Sequence, residues 1–270
     1  MHVVRANGAE IPAIGLGTWL SPGEVCGRAV TAALDAGYRH IDTAQLYGNE
    51  AWVGAALGES SVGRDDVFLT TKVRWDMNRP DTVAASVEGS LHRLGTHIDL
   101  LLIHWPSRDV PVADTLGAMR RFQERGDVTH LGVSNFTREQ VLEAAIHAKL
   151  VCNQVEYHPY LAQNAVKAAC DTHSMALVAY SPLAHGHVLR DPVLAEIGAA
   201  HGRSAAQIAL AWLIGQPGVA AIPKSTNPGR IAANLDVEIE LSADERSRID
   251  ALARGLRTCD PPIAPDWDPS

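Results

Sequence analysis

Val67-Phe68-Leu69-Thr70-Thr71-Lys72, then Asp81 followed by Val83, Val87, Leu91 and Leu94, then Ile98-Asp99-Leu100-Leu101-Leu102-Ile103-His104: this stretch decides the fold. Its two ends are short apolar runs of strand length, and its middle carries apolar residues at helical spacing behind an acidic first turn. Strand, helix and strand in that order form a parallel crossover unit. The rhythm continues in both directions. Strand candidates run from Ile14 to Gly17, His40 to Asp42, Val67 to Lys72, Ile98 to His104, Val128 to Ser134, Val151 to Val155, Ala176 to Tyr180 and Val219 to Ile222. Eight such strands with intervening helices predict an α/β fold, the (β/α)8 TIM barrel. The 270 residues are close to the roughly 250 of one such barrel, so a single domain over residues 1–270 is expected.

Helix faces and starts support this reading. Val25, Ala29, Ala33 and Leu34 recur at helical spacing and are expected in the core, as are Trp52 and Trp212 within helical patterns. Thr137 with Gln140, Ser204 with Gln207 and Ser242 with Glu245 each fit a capping box. Ahead of the barrel, Val3 to Arg5, Asn7-Gly8 and Glu10 to Pro12 read as a hairpin placed to plug the lower end. The Pro-rich tail from Asp260 to Ser270 is expected to pack as coil over the mouth. A doubly wound dinucleotide-binding sheet is the rival fold, but in Gly15-Leu16-Gly17-Thr18-Trp19-Leu20 a leucine stands where its fingerprint needs the third glycine.

Composition excludes several function classes. Apolar residues make up 46% and charged residues 20%, as in globular proteins, and the net charge of −8 argues against nucleic acid or an anionic membrane as partner. No apolar leader or run of membrane-spanning length is present in the sequence, so a cytoplasmic location is expected. Cys26, Cys152, Cys170 and Cys259 are scattered without metal-ligand or redox spacing and read as reduced, mostly buried thiols.

In a barrel, the residues that end strands surround the active site. Here these are Asp42 with Tyr47 a few residues on, Lys72, His104 with Trp105, Ser134 with Asn135, Gln154, Tyr180 with Ser181, and Lys224 with Ser225. Singly, each has an ordinary explanation as a helix cap, a rim residue or a solvated charge. Together, Asp, Tyr, Lys and His at one mouth make a proton-transfer set. A phenol has an unperturbed pKa of about 10, and a lysine cation beside it favours phenolate and is expected to lower that value, with an aspartate fixing the ammonium. His104 is then free to orient a carbonyl oxygen.

Gly37-Tyr38-Arg39-His40-Ile41-Asp42-Thr43-Ala44, Tyr47-Gly48-Asn49-Glu50, Leu69-Thr70-Thr71-Lys72, His104-Trp105-Pro106, Gly132-Val133-Ser134-Asn135-Phe136, Asn153-Gln154 and Ile222-Pro223-Lys224-Ser225 with Arg230 and Asn234 resemble the aldo-keto reductases from about Ile11 onward. The compact loops and the closing Ile263-Ala264-Pro265-Asp266-Trp267-Asp268 look most like the bacterial diketogluconate reductases, which also reduce methylglyoxal. The resemblance implies reduction of small carbonyl compounds, with Asp42, Tyr47, Lys72 and His104 catalytic and Tyr47 the proton donor. The family's double-bond reductases carry glutamate in place of His104, so the histidine implies carbonyl reduction. Ser134, Asn135 and Gln154 correspond to the groups on the nicotinamide carboxamide and Tyr180 to the ring stacked beneath it. Gly17, Thr18, Asp42, Ser181, Pro182, Leu183, Ile222, Thr226 and Asn234 follow the cofactor. Lys224, Ser225 and Arg230 fall where the family holds the 2′-phosphate, implying NADPH rather than NADH, although Ala233 replaces a common glutamate near the adenine. Trp19, Trp75, His104, Trp105 and Trp267 would form the substrate wall, and His158 supports the fold.

Two other functions remain open at this point. A metal-dependent barrel hydrolase would use His40, Asp42 and His104 as ligands, but the His-x-His opening of such enzymes is absent, and no metal is expected. The same fold also serves as a cofactor-sensing accessory subunit of potassium channels, so binding alone does not establish turnover. Nothing in the patterning demands a dimer, and a monomer is expected.

Overall fold

The structure, a computed structural model, describes residues 2–269. Two antiparallel strands, β1 (Val3–Ala6) and β2 (Ala9–Pro12), open the chain. Asn7 and Gly8 both adopt positive φ (49° and 93°), the geometry that two-residue hairpins require and that Asn-Gly tolerates. The Asn7 amide donates to the carbonyls of Leu150 and His173, and Val4, Ala6, Ala9 and Ile11 are buried, so the hairpin closes the lower end as expected.

The barrel follows as β3 (Leu16–Gly17), α1 (Gly23–Ala36), β4 (His40–Asp42), α2 (Glu50–Glu59), β5 (Phe68–Val73), α3 (Pro80–Leu94), β6 (Ile98–Ile103), α4 (Val112–Arg125) and β7 (Val128–Ser134). It continues through α5 (Arg138–His147), β8 (Leu150–Glu156), α6 (Asn164–Thr172), β9 (Ala176–Tyr180), α7 (Pro192–His201), α8 (Ala205–Ile214), β10 (Val219–Ala221), α9 (Pro228–Leu235) and α10 (Ala243–Asp250). Strands β3 to β10 pair in parallel in chain order. The ends of that sheet meet: Ile14 bridges Ala221, Gly17 bridges Lys224, and the Gly15 amide donates to the Ala221 carbonyl at 2.9 Å. Closure needs the glycine, because a Cβ on Gly17 would lie 2.8 Å from the Ile222 carbonyl oxygen.

Fully buried β-branched and leucine side chains line both faces of the strands, inside the barrel and beneath the helices, Leu69, Leu100, Leu101, Leu102, Val133 and Val178 among them. All three capping boxes form reciprocally, at Thr137, Ser204 and Ser242. Two expected core positions are corrected. Val25 is 37% exposed, because α1 turns Cys26, Ala29, Val30, Ala33 and Leu34 inward, one residue out of phase with it. Trp52 is 43% exposed and lies across the α1 surface at Gly27, whereas Trp212 is buried and donates its indole N–H to Asp250. No described helix is long and apolar enough to cross a membrane.

Candidate active site

The parallel strands deliver their last residues to one rim, and the Lys72 ammonium is its hub. It is fully buried and donates to Asp42 Oδ1 at 2.5 Å, to the Thr43 carbonyl at 2.9 Å and to the Tyr47 hydroxyl at 3.3 Å, which uses its three donors. Burial alone would lower its pKa, but the Asp42 charge and the bonds to Asp42 and Tyr47 outweigh it and raise the value above that of an ordinary lysine. The ammonium therefore stays charged at neutral pH. Asp42 is equally committed, its second oxygen accepting from Gln154 Nε2 at 2.7 Å.

Tyr47 ends a short 3-10 turn closed by Gly48 at φ 65°, where a side chain would be strained. Two neighbours fix that turn. Gln45 bonds Ser86, Ser90 and the Arg74 amide, and Asn49 accepts from Thr43 Oγ1 while donating to the carbonyls of Thr18 and Ser21. Gln45 did not stand out in the sequence, and Asn49 entered there only within the Tyr47-Gly48-Asn49-Glu50 motif, with no positioning role read for it. The Tyr47 ring packs against Trp19 (centroids 4.9 Å apart) and edge-on to His104 (5.8 Å).

The expectation for the Tyr47 proton needs correcting. Desolvation pushes its pKa up by more than the Lys72 cation pulls it down, so the phenol is held above its ordinary value and keeps its proton at neutral pH. Burial, followed by repulsion from Lys72, drives His104 the other way, well below an ordinary imidazole, and it stands neutral with Nδ1 unpartnered.

Around this centre, Ser134 donates its hydroxyl to the Gln154 carbonyl. Asn135, held at φ 64°, donates to the His104 carbonyl and accepts from the Tyr180 hydroxyl at 2.8 Å. Thr18 donates to the Asp42 carbonyl. Ser181 begins a tight turn through Pro182 and Leu183, with Ser181, Ala184 and His185 all at positive φ. Beyond Ile222 lie an exposed Lys224, a buried Ser225, an exposed Thr226 and α9, capped by Asn227, with Arg230 exposed in its first turn and Asn234 buried. Among the described residues neither Lys224 nor Arg230 has a carboxylate partner. Two unpaired cations beside a helix N-terminus suit a phosphate.

Of the tryptophans, Trp105 is buried beside His104, Trp267 packs on Trp105 with centroids 6.0 Å apart, and Trp19 and Trp75 stand 45% and 41% exposed. Leu20 and Leu46, next in the chain to Trp19 and Tyr47, are also exposed and were not anticipated. His40 cannot share a metal with Asp42 and His104, since Nδ1 meets the Pro12 carbonyl and Nε2 meets Thr70 Oγ1. No three His, Cys, Asp or Glu side chains converge among the described residues. His158 is buried against Glu156, in keeping with a structural role.

Barrel and rim thus bring a buried ammonium, a half-buried phenol and a buried imidazole together at one mouth, with Trp105 and Trp267 packed on each other nearby and two exposed cations at the start of α9. The chain belongs to the Aldo/keto reductase family, whose sequence model matches residues 13–254, and is an oxidoreductase. It is 38% identical to methylglyoxal reductase DkgB of Escherichia coli O157:H7, over 96% of this chain and 99% of that one. Glyoxal reductase of Bacillus subtilis is 40% identical, over 93% and 92% of the two chains. A crystal structure of a candidate 2,5-diketo-D-gluconic acid reductase B superposes with a TM-score of 0.97 at 46% identity, covering 100% of this chain and 98% of that one.

Proposed function

We propose that the protein reduces small aldehydes and ketones, dicarbonyls such as methylglyoxal and keto-sugar acids among them, to alcohols with NADPH as reductant and Tyr47 as proton donor. The observation that carries this reading is the Lys72 ammonium, bonded at once to Asp42 and Tyr47 beside a neutral His104. A phenol that keeps its proton in the resting site is a competent acid, and the phenolate left after transfer meets a cation already in place. His104 offers the carbonyl oxygen a ring nitrogen without adding a second positive charge. The relatives named for methylglyoxal and glyoxal reduction support the substrate class.

The donor set fits NADPH. Ser134, Asn135, Gln154 and Tyr180 would hold the nicotinamide end, and Gly17, Thr18, Asp42, Ser181, Pro182, Leu183 and Ile222 would follow the chain of the dinucleotide. Lys224, Ser225, Thr226 and Arg230 would meet the 2′-phosphate, with Asn234 near the adenine. Bound there, the cofactor supplies the hydride. All these groups come from one barrel, so the monomer suffices.

NADPH consumption with methylglyoxal, keto-sugar acids and aromatic aldehydes tests the activity: turnover of a small carbonyl is expected. Saturable NADPH binding with no turnover of any of them would replace the reductase by a nucleotide sensor. The cofactor assignment has its own check. Replacing Lys224 and Arg230 together by alanine should raise KM for NADPH about tenfold or more, the size of lost bonds to a charged group. KM for NADH should hardly move, and equal changes for both nucleotides would remove the 2′-phosphate contact.

A further inference from the structure

The carboxylate of Glu156, at the end of β8, is completely buried yet has no lysine or arginine partner. Its charge is met by four donors. His158 Nε2 lies at 3.0 Å and the Thr258 amide at 2.7 Å, the Thr258 hydroxyl also donates to the same oxygen, and the Cys259 amide donates to the other at 2.9 Å. The histidine is oriented for this, since its Nδ1 accepts from the Tyr160 amide and leaves Nε2–H for Glu156. These bonds hold the carboxylate below the ordinary glutamate range despite burial, which by itself would raise it.

Three of the four donors lie some hundred residues away (sequence separations of 102 and 103), in the segment that leads to the tail. The same segment is fastened just upstream, where the amides of Arg254 and Leu256 donate to the Tyr160 carbonyl at 3.1 and 3.0 Å. Downstream it crosses the barrel rim. The Arg257 guanidinium lies 3.8 Å from the centre of the Trp267 ring, Trp267 packs on Trp105, Arg108 donates to the Ala264 carbonyl, and the Arg138 amide donates to Asp268. Within the tail the Trp267 indole N–H donates to Asp260 at 2.8 Å and the Ala264 amide to the Pro261 carbonyl at 2.8 Å, and residues 251–269 form no helix or strand.

We infer that Glu156 is a positioning residue for substrate capture: it pins Thr258 and Cys259, and so seats the tail that carries Trp267 onto Trp105 beside His104. The inference deepens the carbonyl-reductase reading and rests on it for the kinetic test. A buried, hydrogen-bonded carboxylate suits this task better than apolar packing, because its bonds are directional and removal of the acceptor leaves several amides unsatisfied. Glu156 touches none of the groups assigned to proton transfer, so its loss should act on the wall around the substrate and not on the chemical step.

Glu156→Gln keeps size and shape but turns an NH2 group toward one set of donors. With methylglyoxal the variant should show KM raised about tenfold or more, the scale of bonds lost to a charged group, with kcat at saturation little changed. Trypsin should cleave the full-length variant after Arg257 several-fold faster than the wild type, releasing a fragment that begins at Thr258. A purely structural role for Glu156 would lower thermal stability without this split between KM and kcat. Unchanged KM, or a tail as resistant to trypsin as the wild type's, overturns the inference. Thr258→Val, which removes only the hydroxyl, guards against a misfolded Glu156 variant. It should move both readouts in the same direction by less, and no movement in either also overturns the inference. Absence of turnover in the wild type would sink the reductase reading instead, and the cleavage comparison still decides whether Glu156 holds the tail.

Discussion

Tyr47→Phe should lower kcat for carbonyl reduction by about 10²- to 10⁴-fold, the span associated with a positioned general acid, and leave NADPH binding nearly intact. The substitution removes one oxygen, whose single bond to a side chain comes from Lys72 at 3.3 Å, and keeps the ring that packs on Trp19 and His104. Cofactor affinity and folding should therefore survive. Ultraviolet titration of the wild type against the variant adds a second check. Because burial outweighs the Lys72 cation, the phenolate signal lost in the variant should belong to a group titrating above the ordinary phenol value of about 10. A phenol that ionises near neutrality would show the cation winning, and near wild-type turnover by the variant would move the proton donor elsewhere.

The part of this site that was legible in the sequence is the part whose chemistry is local to a strand end. Asp42, Lys72 and His104 each stand at or next to the end of a strand, so the barrel pattern alone brings them to one rim. The sign of the Tyr47 shift was not legible, because it depends on how much water the assembled mouth excludes, which no spacing records. Glu156 escaped for a different reason. In Glu156-Tyr157-His158-Pro159 the adjacent histidine draws attention, while the donors that give the carboxylate its purpose lie in a tail without hydrophobic periodicity. Val25 and Trp52 show the limit of periodicity itself. Apolar residues at approximately helical spacing do not reveal which face a neighbouring helix will cover, and at α1 the inward face is set by Cys26 and Val30.

Lys72→Met should be the most destabilising single change at the rim. The ammonium and Asp42 form a pair in which each side chain is 1% exposed, and removing one member of such a pair costs about 3–5 kcal/mol because the other charge is left buried. Asp42 would retain only the Gln154 amide among its side-chain donors. For a chain of this size the loss corresponds to an unfolding midpoint lower by roughly 6–20 °C. The pH dependence has a definite sign. Lys72 has its pKa raised in the folded state, so its stabilisation is fully present below the unfolded lysine value of about 10.4 and disappears only as pH rises through the higher folded value. The gap between wild type and variant should thus be constant through neutral and mildly alkaline pH and narrow only beyond that. Replacing Asp42 by leucine in the same chain removes the stranded carboxylate, and the double variant should recover much of the stability while remaining inactive. That separation matters, because it divides the two tasks of one ammonium: balancing Asp42 within the barrel, and standing ready for the phenolate of Tyr47. A single variant as stable as the wild type would mean that Asp42 does not carry a buried charge, and a double variant with restored turnover would remove Lys72 from the proton-transfer step.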